Sequence, residues 1–171
     1  IILSLMLTSL AIGTIITMTS THWLMAWVGL ELNTLSIIPI ITKHHHPRST
    51  EATTKYFLTQ AAASALLLFA STTNAWHTGT WDISQLTNQP ACTMLTVALS
   101  MKLGLAPLHF WLPEVLQGTS LNTALIITTW QKLAPMALMY LTHSSLNPTI
   151  LMTMGLISTL VGGWGGLNQT Q

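Results

Sequence analysis

Three ionisable residues, Glu31, Lys102 and Lys132, stand near the middle of apolar, helix-length stretches of a 171-residue chain. The whole sequence has only five Lys or Arg and four Asp or Glu. At the centre of a bilayer such a group costs about 2.5–3.5 kcal/mol on insertion scales, so its ordinary reading is a station on an ion or proton path. One acid and two amines suit proton exchange, because each can hold a proton or release it. With a rise of about 1.5 Å per residue, Glu31 lies about 14 Å into its helix, Lys102 about 17 Å and Lys132 about 18 Å. A hydrocarbon core is about 30 Å thick, so all three share a depth near its midplane. Two other readings compete. A lysine stem can snorkel, but its reach of about 6 Å falls short of the headgroups from mid-depth. A buried Glu–Lys pair can also serve only to pin two helices together.

The elements that must position these groups are helices in lipid. Charged residues make up 5% of the chain, against roughly 25% in soluble domains. No charge falls between Ile1 and Leu30, between Tyr56 and Trp81, or from Leu133 to Gln171. The pattern predicts an all-α, polytopic bundle of about six helices in one membrane domain over 1–171. The expected spans are 2–19, 22–41, 50–74, 91–104, 120–141 and 148–166, with the fourth interrupted and continued over about 109–118. The loop after the second helix holds Lys43, His44, His45, His46 and Arg48, and Lys55 follows it. By the positive-inside rule this loop and the N-terminus face the cytoplasm-like side, and the loop over Trp76–Pro90 faces outward. The sequence lacks an initiator Met and a signal pattern, and reads as a piece of a longer chain.

Prolines interrupt the helices beside the two lysines. Proline has no N–H to give the carbonyl four residues earlier. Pro107 therefore frees the carbonyl of Leu103, next to Lys102, and Gly104 adds backbone freedom. Pro135 frees the carbonyl of Gln131, next to Lys132. Freed carbonyls persist in a membrane only where protein or water satisfies them, and broken helices at mid-depth recur at ion sites in transporters. Gln60 and Ser64 lie four apart with Ser71 on the same face, and Thr128 lies one turn before Lys132. Gln60, Ser64 and Thr128 are candidate water-lining residues. His109, between Pro107 and Pro113, is a candidate proton relay, since its ordinary pKa lies near neutrality.

Other features carry less. Ser158, Gly162 and Gly166 form a small-residue stripe that lets helices approach. His44, His45 and His46 are consecutive on a loop and point different ways, which suits a solvated loop better than a metal site. A single cysteine, Cys92, excludes an internal disulfide and a cluster built by this chain alone. A net charge of +1 offers no surface to nucleic acid.

Five stretches carry a family resemblance. They are Trp27-Val28-Gly29-Leu30-Glu31-Leu32-Asn33, Pro47-Arg48-Ser49-Thr50-Glu51-Ala52 running on to Lys55-Tyr56-Phe57-Leu58-Thr59-Gln60-Ala61, Met101-Lys102-Leu103-Gly104-Leu105-Ala106-Pro107-Leu108-His109-Phe110-Trp111-Leu112-Pro113-Glu114, Thr129-Trp130-Gln131-Lys132-Leu133-Ala134-Pro135, and Gly163-Trp164-Gly165-Gly166-Leu167-Asn168-Gln169-Thr170-Gln171. Together they resemble the subunit-2 family of mitochondrial NADH–ubiquinone oxidoreductase (respiratory complex I), vertebrate type, over the whole chain. The Lys-x-Gly-x-x-Pro-x-His-x-Trp-x-Pro stretch is shared more widely with Mrp-type cation/proton antiporter subunits.

The resemblance implies the N-terminal half of an antiporter-like subunit of the mitochondrial inner membrane, partnered by lipid and by the other subunits of the complex. It implies that the residue matching Glu31 pairs with Lys102, and that Lys132 is the next proton carrier. It further implies that NADH and ubiquinone are used by the whole complex. This chain carries no flavin, nucleotide, quinone or iron–sulfur motif, so no cofactor is expected in it. The expected activity is proton translocation driven by electron transfer in partner subunits. A purely structural membrane subunit and an Mrp-like cation/proton antiporter are the alternatives.

Overall fold

The computed structural model describes residues 1–170, so the Gln171 that closes the last of the five stretches lies outside the described residues. Among the described residues, eight α-helical segments form six rods. They are α1 (Ile2–Thr19), α2 (Trp23–Ile41), α3 (Pro47–Thr78), α4 (Gln89–Leu103), α5 (Trp111–Gln117), α6 (Leu121–Thr128), α7 (Leu133–Leu141) and α8 (Pro148–Leu167). Three of them, α1, α2 and α8, are long and apolar enough to cross a membrane by length and composition.

The first two helices pack backbone to backbone. A Cβ on Gly29 would lie 2.9 Å from the Gly13 carbonyl and 3.0 Å from the Thr17 nitrogen, and one on Gly13 would strike the Asn33 carboxamide. Ser9 and Ser36 add a hydroxyl pair at 2.7 Å across the same seam. Small residues at the crossing are the usual means of association where lipid removes the hydrophobic drive.

Helix α3 is longer than the 50–74 span expected from the sequence, because both ends are well stopped. His46 caps its start by accepting from the Arg48 N–H at 3.2 Å, Pro47 occupies the first turn, and Gly79 ends it at φ +72°. Its 32 residues reach about 48 Å, well beyond a hydrocarbon core of about 30 Å. Ala52, Tyr56, Gln60, Ala63, Leu67, Ala70 and Asn74 are buried along it, spaced by threes and fours as one helix face requires.

The polar 79–88 segment is tied to the bundle. The Trp23 N–H donates to the Trp81 carbonyl at 3.1 Å and the Ile83 N–H to that of Thr21 at 3.0 Å. The fully buried Asn74 donates to the Gln85 carbonyl and accepts from the Thr87 N–H.

The fourth rod breaks where expected, and α5 returns toward the start of α3. A Cβ on Gly118 would lie 2.7 Å from the Arg48 carbonyl. The fifth rod differs from the continuous 120–141 helix expected. It stops at Thr128, turns through a tight 3-10 turn over Trp130–Lys132, and restarts at Leu133. The break therefore precedes Pro135 rather than sitting on it. Restarting at Leu133 puts Pro135 in the first turn of α7, where a missing N–H leaves no helical bond unmade.

Two apolar clusters hold the bundle. Trp23, Leu30, Leu67, Leu95, Leu99 and Leu138 belong to one, and Leu10, Ile37, Tyr56, Trp111, Val115 and Ile127 to the other. Helix α8 stands largely apart, with Met154 its one buried residue.

Candidate functional site

The site forms where the two broken rods meet α2 and α3. Helix α4 ends in a Schellman-type closure. The Leu105 N–H donates to the Ser100 carbonyl at 3.0 Å and the Gly104 N–H to that of Met101 at 3.2 Å, with Gly104 at φ +73°. A left-handed conformation there is natural for glycine and strained for other residues. Side chains then bond the carbonyls at this helix end, one that the closure leaves free and one that it already uses. The Lys132 Nζ donates to the Leu103 carbonyl, the group that Pro107 deprives of a helical partner. The Trp111 Nε1 donates to the Met101 carbonyl at 3.1 Å. The Lys132 ammonium also lies 5.2 Å from the centre of the Trp111 ring, within the range of a cation–π contact.

The break beside Lys132 is anchored in turn to α2. The Gln131 Nε2 donates to the Asn33 carbonyl at 3.0 Å. One side chain thus ties the Lys132 turn to the helix that carries Glu31, two residues before Asn33.

Lys102 is 5% exposed, and its Nζ has no hydrogen-bond partner among the described residues. Glu31 Oε2 is likewise buried and unpartnered. Glu31 stands on α2 between Leu30 and Asn33, and both of those residues border the same space as Lys102 and Tyr56. The two groups do not form a direct ion pair. Ion pairs within 4.0 Å among the described residues are those of Lys55 with Glu51 and with Glu114, each at 2.8 Å.

A small cavity lies between the two lysines. Lys102, Lys132, Gln131, Gln60, Tyr56, Thr34 and Asn33 contribute its polar lining, and Leu30, Trp111, Ile127 and Pro135 the rest. The space open to the centre of a water is about 10 Å³, about that of one water molecule. Its chemistry is correspondingly narrow. It is too small for an organic cofactor, and two amines without a lining carboxylate repel a metal cation. A bridging water between buried, unpartnered groups relieves their desolvation and passes protons between them.

The other sequence candidates fall in different places. Gln60 lines the cavity, whereas the Ser64 hydroxyl turns back to the Gln60 carbonyl at 2.9 Å and lines no part of it. Thr128 is exposed and bonds its own helix, at the carbonyls of Ala124 and Leu125, so it lines no water here. Hydroxyls in helices often take this local option. His109 lies off the cavity with its ring 4.6 Å from that of Phe110 and a buried, unpartnered Nδ1. Among the described residues no group of three His, Cys, Asp or Glu is placed to hold a metal. His46 is occupied as the cap of α3, and the side chain of His44 lies outside the described residues.

Sequence reasoning passed over Tyr56, Trp111, Asn33 and Gln131. Tyr56 had a visible signal, four residues before Gln60 on the same face of α3. Gln131 and Trp111 gained their roles only from the breaks, which bring their donors to carbonyls on other segments.

Residues 20–171 match the family described as "NADH:quinone oxidoreductase/Mrp antiporter, TM". The chain belongs to this antiporter family. It is accordingly an all-helical, multi-pass membrane protein of antiporter-like fold. It is 63% identical to NADH-ubiquinone oxidoreductase chain 2 of Oncorhynchus mykiss over 99% of its length, and 65% identical to that of Xenopus laevis over 98%. The match covers 49% of each relative, so the chain spans about half the length of the curated proteins it resembles. Among solved structures, a chain of respiratory complex I from Thermus thermophilus with bound aureothin superposes with a TM-score of 0.91. It is 29% identical, over 98% of this chain and 40% of that one. A chain of the membrane-bound sulfane sulfur reductase, an archaeal respiratory membrane complex, shares the fold at a TM-score of 0.66 and 18% identity, over 80% of this chain and 31% of that one.

Proposed function

We propose that this chain is part of a proton-translocating membrane subunit of respiratory NADH:ubiquinone oxidoreductase, embedded in the mitochondrial inner membrane among the other subunits of the complex. The observation that carries the reading is the water-sized cavity flanked by Lys102 and Lys132 at two helix breaks, with Glu31 close by on α2. Protons are the substrate. Glu31 is the acid that acts on Lys102, since a buried ammonium is held more firmly with an opposite charge near it than without one. Withdrawal of the carboxylate's influence weakens that hold and drives the proton through the cavity to Lys132. The Leu103 carbonyl and the Trp111 ring hold the Lys132 amine in place and give the proton a resting place. His109, with its unpartnered ring nitrogen, is a further carrier. NADH and ubiquinone react elsewhere in the complex, on partner subunits, and supply the driving energy.

The test is Lys132→Met in the assembled complex reconstituted in vesicles, with protons moved per electron as the readout. A fall in that ratio with assembly intact supports the proposal. An unchanged ratio removes Lys132 from the path.

A purely structural reading has one observation in its favour. Lys132 is already satisfied by Leu103 and Trp111, as a latch would be. It leaves Lys102 and Glu31 without a purpose, because unpartnered buried charges weaken a bundle rather than strengthen it. Exchange of sodium or potassium is disfavoured by the two amines on the cavity wall.

A further inference from the structure

The gap between Lys102 and Lys132 needs a group that both accepts and donates a proton. Among the described residues Lys102 Nζ reaches no protein partner, and no ion pair within 4.0 Å links it to Glu31. Several cavity-lining groups are already committed. The Lys132 amine is bound to the Leu103 carbonyl, the Gln131 amide to the Asn33 carbonyl, and the Thr34 hydroxyl to the Glu31 carbonyl at 2.8 Å. Besides Lys102 itself, three lining side chains make no hydrogen bond inside the protein among the described residues, Asn33, Gln60 and Tyr56. A carboxamide accepts on one atom and donates from another, so it passes a proton only by forming a disfavoured imidic acid. A phenol does both on a single oxygen.

Tyr56 is 2% exposed, and its ring meets the Trp111 ring edge-on at a centroid distance of 5.9 Å. The same Trp111 ring carries the Lys132 ammonium on its face. Depth agrees as well. Tyr56 is nine residues from the start of α3 and Glu31 ten from the end of α2, or about 14 and 15 Å from the same side.

We infer that the Tyr56 hydroxyl is the relay between Lys102 and Lys132. This rests on the proton-translocating function proposed above. A proton from the Lys102 ammonium arrives on the phenol oxygen, directly or through one water in the cavity. The hydrogen already on that oxygen leaves toward a neutral Lys132 amine. One O–H bond forms as another breaks, one N–H is lost and one gained, and no electrons change hands. Rotation of the hydroxyl resets the relay.

The experiment is Tyr56→Phe in the assembled complex, which keeps the ring against Trp111 and removes only the oxygen. Positioned proton-transfer groups contribute roughly 10²–10⁴-fold. Water can take over part of this path, so coupled proton translocation is expected to fall about tenfold and its solvent deuterium isotope effect to change. Wild-type pumping with an unchanged isotope effect overturns the inference. If Tyr56→Phe fails to assemble, a ring-fluorinated tyrosine at position 56 keeps both shape and hydroxyl while making the phenol more acidic. A change in the isotope effect then supports the relay, and an unchanged one overturns it. Lys132→Met run in parallel separates the two claims. Pumping that survives Lys132→Met defeats the transport function itself. Pumping lost in Lys132→Met but retained in Tyr56→Phe defeats the relay alone.

Discussion

At the scale of single residues, the site depends on a glycine as much as on its charges. Gly104 turns left-handed to close α4, and a Cβ there would lie 3.5 Å from Lys132 Nζ and from the Trp111 ring. Gly104→Ala is expected to cost about 1–2 kcal/mol, chiefly from the backbone conformation. The space itself is adequate, so the variant should assemble at reduced thermal stability and retain part of its pumping. Thermal denaturation of the purified complex measures the first, and vesicle acidification the second. The three central charges were legible from the sequence because a charge is conspicuous among apolar neighbours. Tyr56 and Trp111 were not, because aromatic residues in an apolar run look like packing. Thr128 was legible as polar but misread as water-lining, since a hydroxyl that bonds its own helix leaves no trace in the sequence.

At the scale of elements, the two broken rods are complementary. One end supplies carbonyls and the other supplies donors, as Lys132 on Leu103 illustrates. Proline spacing identified the break after Lys102. The break before Leu133 was displaced from the expected position, because the chain relieves a missing N–H by restarting the helix upstream of the proline. Gln131 holds this displaced turn against α2. Gln131→Leu removes that bond and is expected to cost about 1 kcal/mol of net stability, the Asn33 carbonyl keeping its place in the α2 helical ladder. Its effect on pumping should exceed its effect on assembly, since only the Lys132 turn is released. Proton flux normalised to assembled complex measures this. The seam between α1 and α2 behaves differently. Gly29→Val would force a side chain into the Gly13 carbonyl and Thr17. Overpacking of this kind costs about 1–3 kcal/mol, so the amount of assembled complex should fall while the flux per complex stays near normal.

At the scale of the whole molecule, the chain spans about half the length of its curated relatives, and its last helix makes few internal contacts. Leu156, Leu160, Trp164 and Leu167 on α8 are exposed, and a Cβ at Gly162 or Gly166 meets nothing within 4 Å. Gly162→Ala should therefore leave the packing of α1–α7 unchanged, which proteolysis or thermal denaturation in detergent can check. The fold class was legible because low charge and six apolar runs admit few alternatives to a helical membrane bundle. The long α3 was underestimated, since its ends, Pro47-Arg48-Ser49 and Ala75-Trp76-His77-Thr78, look like loops until His46 and Gly79 are known to cap them. The relation among distant charges was legible only as a shared depth. Whether the helices carrying them were neighbours required the folded chain.

The measurement closest to the central claim replaces Glu31 and Lys102 together, by Gln and Met, and records protons moved per electron in the assembled complex. Two buried charges that merely pin helices can be exchanged for neutral groups with little loss of stability. Carriers of protons cannot. We predict normal assembly with a clear drop in that ratio, whereas an unaltered ratio in a well-assembled double variant would contradict proton passage through this cavity.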